Sequence, residues 1–424
     1  MTSAGVPVAR SRVFDGWFVV GAVSVVLLVA GGLGFYGLSV YLKELKDARG
    51  FSVGWISGAT SLFFVIGGLA GPAVARVIER RDVRLVIAAG GIVAGIALAL
   101  LGQVQQLWQL YLVDALLAVG NTCCFLVPCT TVVTRWFHRR RSVALSIAST
   151  GISMGGLVFT PLASALIGHL GIATASVILG AVWTGVVVPT ATVIWPDPAS
   201  RGEWPDGDEP AAVSSTGAVA EAAGVPYEEA IHSRFFRVVV IAYVFGLTAQ
   251  VGALIHLYNR VSDDAGKGAA GAAVLCVALS SVVFRLLGGV VAERVPLRRL
   301  TVTMFVIQGV SLAILAGASS AGALLAGSVL FGATIGNTLM LQPLLIAEAF
   351  GVRDYARIYS LNLLWTTLGV AGGPFVLGVI HDVTGGYTTA YVVAAILSVV
   401  GAMSLASRRR ESRSSSTMAW AASK

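Results

Sequence analysis

The chain has 424 residues, of which 56% are hydrophobic and 12% charged, with a formal net charge of +8 and a mean hydropathy of +0.84. Soluble domains carry roughly 25% charged residues, so this composition excludes a water-dissolved enzyme or signalling domain and describes a chain dissolved in lipid. The basic balance belongs with membrane insertion, which sets aside a nucleic-acid partner.

About 20 helical residues cross a hydrocarbon core, and twelve apolar stretches of that order occur along the chain. They lie at 17–42, 54–77, 84–104, 107–134, 143–168, 172–195, 236–259, 269–292, 299–318, 322–348, 357–380 and 387–406. None alternates as a barrel strand would, so all are predicted as helices. The first follows Arg10 and Arg12, is too long for a signal-peptide core and lacks a small-x-small cleavage site, which predicts a retained helix. Cys123, Cys124, Cys129 and Cys276 all fall inside spans, where they read as small packing residues rather than disulfide or zinc ligands.

The longest polar stretch, PDPASRGEWPDGDEPAAVSSTGAVAEAAGVPYEEA at 196–230, has the Pro, Gly, Ser, Ala and acid content of a solvated linker. It divides the spans six and six. The predicted organisation is an N-terminal six-helix bundle (1–195), a cytoplasmic linker (196–234), a C-terminal six-helix bundle (235–407) and a cytoplasmic tail (408–424). With the N-terminus inside, the outer loops hold only Lys43, Lys46, Arg49, Arg260 and Lys267, Arg285 is intramembrane, and the remaining Lys and Arg fall on the cytoplasmic side. That bias predicts both termini in the cytoplasm, in a plasma membrane; the Arg-rich, Ala/Gly/Val-heavy usage hints at a bacterial inner membrane.

Two internal correspondences support homologous halves. Gly120-Asn121-Thr122 and Gly336-Asn337-Thr338 both sit in the fourth span of their half, each followed by a proline, Pro128 or Pro343. These predict symmetric small-and-polar contacts and bends in two equivalent helices. GPAVARVIERR from Gly71 and GVVAERVPLRR from Gly289 both join spans two and three, so that Arg76, Arg80 and Arg81 match Arg294, Arg298 and Arg299. Gly91-x-x-x-Gly95 and Gly151-x-x-x-Gly155 predict close helix crossings. GISMG has the spacing of a nucleophile elbow but lies inside a helical span, the wrong context for one.

With twelve spans, a long central loop and Gly-x-x-x-[acid]-Arg-x-x-x-Arg-Arg between spans two and three, the chain resembles the major facilitator superfamily. The stretch RWFHRRRSVALSIASTGISMGG is similar to the monocarboxylate-porter signature, matched at Trp136, Phe137, Arg139, Arg140, Arg141, Ala144, Ala148, Gly151 and Gly155; Asp15-Gly16-Trp17 resembles that family's start. The chain departs from the pattern at Ser146, Thr150 and Ala75, carries Ser281 where the porters have an Asp four residues before the Arg, and has Tyr36 in place of their first-helix lysine. The resemblance implies an all-α membrane protein of two pseudo-symmetric six-helix bundles that rocks about a midplane site, with some basic-loop residues locking the cytoplasmic side: Arg76, Arg80, Arg139, Arg140, Arg141, Glu293, Arg294 and Arg298.

Polar residues inside a membrane are costly and demand a reason. Arg285 is either a fixed cation for a solute carboxylate or a structural or snorkelling group. Tyr36, Asn121, Asn337, Gln342, Asn362 and Trp365 are candidates to line the solute site, or to bind helices to one another. His256 and Asp114 are candidate proton carriers, each with a packing role as the alternative. Glu348 is expected to pair with Arg353 or Arg357. No catalytic constellation, metal pair or nucleotide-binding loop is present, so neither enzyme activity nor a cofactor is expected. The sequence predicts a secondary transporter for a small organic anion of monocarboxylate type with proton coupling, acting as a monomer among membrane lipid. The alternative is a proton-driven exporter of amphipathic or cationic compounds.

Overall fold

Each predicted apolar stretch is helical in the computed structural model, which describes residues 14–38, 40, 41, 45, 49–51, 53–207 and 224–407. Arg10, Arg12, Lys43, Lys46, the middle of the linker and the tail lie outside the described residues. Eleven helical runs are long and apolar enough to cross a membrane. One of them, Arg141–Thr192, has 52 residues; at about 1.5 Å per residue it is more than twice the length a bilayer core needs. It divides at Gly171, whose φ of 75° lies in the left-handed region that only glycine enters without strain. Gly266, with φ 80°, divides Arg234–Ala292 in the same way.

The twelve spans are therefore α1 (Asp15–Tyr36), α2 (Val53–Arg80), α3 (Val83–Leu101), α4 (Leu107–Trp136), α5 and α6 (141–170 and 172–192), α7 (Arg234–Gly266) and α8 (Gly268–Ala292). They continue with α9 (Leu297–Gly317), α10 (Ala321–Phe350), α11 (Tyr355–Thr384) and α12 (Tyr387–Ala406). The twelve helices expected of the chain are the twelve observed among the described residues.

Close approach rather than apolar attraction holds helices together where lipid is as apolar as the side chains. Both Gly-x-x-x-Gly pairs do this. Gly151 abuts the Ser24 carbonyl and Gly155 the Leu28 carbonyl, seating α5 against α1, while Gly91 and Gly95 receive Val187 and Thr184 of α6. Along this contact α1 widens into a π-helix over Ala30–Tyr36, an irregularity that often accompanies functional sites.

The repeated Gly-Asn-Thr is not used symmetrically. Gly120 packs on Ala94 of α3 and Asn121 on Gly34 of α1, whereas Gly336 packs on Ser281 and Arg285 of α8 and Asn337 on Gly288. The triplets are offset by 216 residues and the loop motifs by 218. Two residues on a helix are about 200° apart, so equal words face different neighbours. The prolines differ too: α4 breaks at Phe125, three residues before Pro128, while α10 runs unbroken through Pro343.

The core shows how the halves meet. One continuous hydrophobic cluster joins α1–α6 to the ends of α7, α9, α10, α11 and α12 nearest the arginine-rich loops. The far ends of the second bundle form a separate cluster. The buried apolar core is thus continuous between the bundles on the basic side, while on the opposite side the second bundle has a core of its own.

The described ends of the linker, 196–207 and 224–234, are docked on the bundles where solvated chain was expected. The Asp206 carboxylate accepts from three successive backbone N–H groups, His138 at 2.9 Å, Arg139 at 2.7 Å and Arg140 at 3.2 Å. Arg201 pairs with Asp15 at 3.0 Å and lies 4.4 Å over the Trp195 ring. At the other end Val225 N donates to the Phe350 carbonyl at 2.8 Å and Tyr227 N to Asp354 Oδ2 at 2.7 Å. Hydrogen bonds, several to charged groups, fix these segments together with the packing of Trp195, Val225 and Tyr227 on the core.

Candidate functional site

The buried charge that the sequence singles out lies at the seam between the bundles. Arg285 of α8 is 1% exposed. Its Nε donates to the Gly336 carbonyl of α10 at 3.0 Å, and Nη1 donates to the Ser149 carbonyl of α5. In return Ser146 Oγ donates to the Arg285 carbonyl at 2.5 Å. No carboxylate pairs with this guanidinium among the described residues, and Nη2 makes no hydrogen bond among them. Two carbonyls occupy two of its five N–H donors, which leaves a cation desolvated but not neutralised.

Tyr36, on α1 of the other bundle, is brought to this point. Its hydroxyl hydrogen-bonds with Ser153 and lies in electrostatic reach of Arg285, and Gly156 gives its ring room. Ser146, Ser149 and Ser153 were not singled out from the sequence, yet their i, i+3, i+7 spacing on α5 places them on one helix face. That polar stripe inside an apolar helix is the signal that would have found them.

Other predicted residues lie elsewhere. Asn337 donates to the Phe284 and Ala333 carbonyls at 2.9 and 2.8 Å, tying α10 to the α8 turn that carries Arg285. Gln342 donates to Asn362 Oδ1 at 2.6 Å and Thr366 Oγ1 at 3.4 Å, an α10–α11 link. Asn121 is buried among Gly34 and Trp183 within the first bundle. Trp365 is 48% exposed on α11. His256 has its Nε2 on the Pro374 carbonyl at 3.1 Å and its ring 5.5 Å from Tyr387. Asp114 is buried on α4, and its Oδ1 has no hydrogen-bond partner among the described residues.

The basic-side closure is built from other groups than most of those expected. Arg76 bonds the Pro72 carbonyl of its own helix, and with Arg80 it lines an open surface groove of about 490 Å³. Arg298 donates to the Leu405 and Ser407 carbonyls at 2.7 and 3.1 Å, within the second bundle. Glu293 and Arg294 are exposed, and Arg139 and Arg140 are held by their backbones on Asp206. Arg141 alone of that set reaches the seam, bonding the Phe137 and Thr134 carbonyls beside Tyr355. Arg357 meets Glu79 of α2 at 3.9 Å, not Glu348, and lies 4.1 Å over the Tyr227 ring. Tyr355 lies beside Thr130 of α4 and stacks on Tyr359 at 5.5 Å, its hydroxyl making no hydrogen bond among the described residues. In the α4–α5 loop, burial together with the nearby Arg141 holds His138 below its usual value, and Asp206 opposes this.

A Major Facilitator Superfamily model matches residues 24–265 and 258–421. Monocarboxylate transporter 13 of Rattus norvegicus is 26% identical over 395 residues, covering 91% of this chain and 87% of the relative. Monocarboxylate transporter 11 of Homo sapiens is 27% identical over 400 residues, covering 91% and 79%. The fold is shared with the E. coli fucose:proton symporter FucP, at a TM-score of 0.70 and 15% identity over 94% of this chain and 100% of that one.

Proposed function

We propose that this chain, which belongs to the Major Facilitator Superfamily, carries a small organic anion across a cell membrane together with a proton. That it is a multi-pass membrane transporter and not an enzyme follows from the family, the relatives and the fold. The finer reading rests on Arg285: a buried guanidinium at the bundle seam, paired with no carboxylate among the described residues, is matched by a carboxylate brought by the solute. Two similar relatives carry the name monocarboxylate transporter, which favours the same solute class.

The mechanism follows from the seam. Two bundles pivot about a central site, exposing it to one side and then the other. With the basic side cytoplasmic, as the positive-inside rule directs, the side with the continuous core is the inner one and the structure is outward-facing. Arg285 and Tyr36 then form the solute site between bundles, and Glu79, Arg357, Thr130 and Tyr355 close the inner gate. Asp114 and His256 are the proton-carrying candidates.

The test is uptake into proteoliposomes of labelled small carboxylates and amphipathic cations, with and without an inward proton gradient, comparing the natural chain with Arg285→Ala. Gradient-driven uptake of a carboxylate, lost in Arg285→Ala, is the expected result. Movement of a cation alone, indifferent to Arg285→Ala, replaces this reading with proton-driven export of cationic compounds.

A further inference from the structure

The first bundle contains a second polar pocket, remote from Arg285. Asp114 of α4 and Tyr41, on the chain just beyond α1, share a cavity of about 10 Å³ with Thr60 of α2, Leu101 of α3 and Leu110 of α4. Asp114 is 3% exposed and Tyr41 2%. Asp114 Oδ1 and the Tyr41 hydroxyl have no hydrogen-bond partner among the described residues. A buried acceptor and a buried donor left unpaired are each costly, so a pocket holding both has a use for them.

The size of the pocket decides what that use is. About 10 Å³ is the lower limit for one water molecule, which excludes an organic solute and a hydrated metal ion. The walls offer one carboxylate, one phenol and one threonine hydroxyl among leucines. A sodium ion would need several more oxygens than that, whereas a proton needs one carboxylate and a hydrogen-bonding neighbour.

We propose that Asp114 and Tyr41 form the site of the coupling proton, separate from the solute site at Arg285 and joined to it by α1. This inference rests on the reading of the chain as a proton-coupled carrier. Asp114 takes a proton from water as a carboxylate and returns it to water as a carboxylic acid, and no other bond changes. The two groups make no direct hydrogen bond, so one water in the cavity would join them: accepted by the ionised carboxylate with Tyr41 O–H behind it, or accepting from the protonated carboxyl with the phenol oxygen as the next acceptor.

The surroundings leave Asp114 as the group that titrates. From α2, α3 and α4 the pocket receives Thr60, Leu101 and Leu110, and among the described residues Tyr41 is the other titratable group lining it. Arg49, in the adjoining loop, is turned onto the Gly102 carbonyl at 3.2 Å. His256, the other candidate, lies in the second bundle with its ring nitrogen committed to the Pro374 carbonyl.

The two sites share elements. Tyr36 reaches Arg285 and Tyr41 reaches Asp114, five residues apart on one stretch of chain, about 7.5 Å of helical rise. The π-helical segment Ala30–Tyr36 ends at the solute-site tyrosine, and Asn121, two turns along α4 from Asp114, packs on Gly34 inside it. A change of charge at Asp114 therefore acts on the helix that carries the solute-site tyrosine.

The experiment is infrared difference spectroscopy of the full purified chain in lipid, titrated with acid and base through neutrality, beside the proteoliposome assay. A carboxylic-acid carbonyl band that appears on acidification, disappears in Asp114→Asn and moves in Tyr41→Phe is the expected result. The band should persist in Arg285→Ala, which removes solute binding, and proton-driven accumulation should be lost in Asp114→Asn.

A band unchanged in Asp114→Asn, or proton-driven accumulation that survives that substitution, overturns the proposal. So does loss of the band in Arg285→Ala, because the sites would then be one. If the natural chain shows no proton-driven transport while the Asp114 band titrates, the carrier reading fails but the proton site stands. Thermal unfolding of each variant separates these outcomes from misfolding.

Discussion

The proposed inner gate allows a quantitative test. Arg357 and Glu79 approach to 3.9 Å with side chains 34% and 29% exposed. A pair so open to solvent is worth about 0.2–1 kcal/mol. The Tyr227 ring, 4.1 Å from the same guanidinium, adds about 0.5–1 kcal/mol at such a site. Arg357→Ala removes both, so the closed gate should lose about 0.7–2 kcal/mol, a shift of about 3- to 30-fold toward opening.

Thr130 reports that shift, because it is 3% exposed beneath Tyr355 while the gate is closed. In a background with the four native cysteines replaced, alkylation of Thr130→Cys should accelerate by that factor in Arg357→Ala, and by less in Glu79→Gln or Tyr227→Ala. Because Arg357 is the shared partner, combining Glu79→Gln with Arg357→Ala should add nothing further. Additive effects, or a rate that Arg357→Ala leaves unchanged, would refute the assignment of this cluster as the gate.

At the proposed solute site, Arg285→Lys keeps the charge but loses the planar fork. Forfeiting one charge-assisted hydrogen bond of about 1.5–3 kcal/mol, it should raise the KM for a transported carboxylate about 10- to 100-fold; an unchanged KM would show that no carboxylate binds there. Arg260, whose guanidinium donates to the Leu315, Ala316 and Ala318 carbonyls at the end of α9 and pairs with Asp264 at 2.5 Å, is structural. Arg260→Ala should cost at least about 1.5 kcal/mol in thermal unfolding with no change in KM. Gly155→Leu should cost about 1–3 kcal/mol or more by overpacking, because a Cβ there would strike the Leu28 carbonyl, and it should be visible as loss of monodisperse protein. Asp206→Ala frees three backbone N–H groups, a capping loss of about 0.5–2 kcal/mol; tryptic cleavage at Arg139 and Arg140 should accelerate, and an unchanged rate would mean the linker does not dock.

The fold was legible because hydropathy and helix length are local properties: span α12 at 387–406 coincides with its predicted limits, and most others agree within a few residues. The parts that were not legible depend on direction. Composition marked 196–230 as solvated, yet Asp206 docks through three backbone N–H groups and Tyr227 through its own N–H, contacts that no average over a window registers. The arginines of the α2–α3 and α8–α9 loops satisfy the positive-inside pattern, and insertion requires only which side they occupy, not that they face one another. Within the site, Arg285 was visible as a lone charge in an apolar helix. Its serine neighbours were hidden, because Ser in a membrane helix usually bonds its own carbonyls, as Ser149 also does with Leu145 at 2.7 Å.

The position of Arg285 bears on why binding and movement should be linked at all. A desolvated guanidinium is expensive unless its donors are filled, and in this state part of the compensation comes from the Ser149 carbonyl of the opposite bundle. That bond exists only while α5 and α8 are in register, so it belongs to one arrangement of the seam. On the reading proposed above, a solute carboxylate that satisfies the guanidinium in both arrangements replaces the cross-bundle bond and reduces the electrostatic cost of parting the helices. A ligand shifts a conformational equilibrium only by its differential interaction with the two states. A cation held by the opposite bundle's backbone supplies that difference, whereas one paired to a carboxylate of its own helix, at the position of Ser281, would carry its compensation with it and be insensitive to the movement.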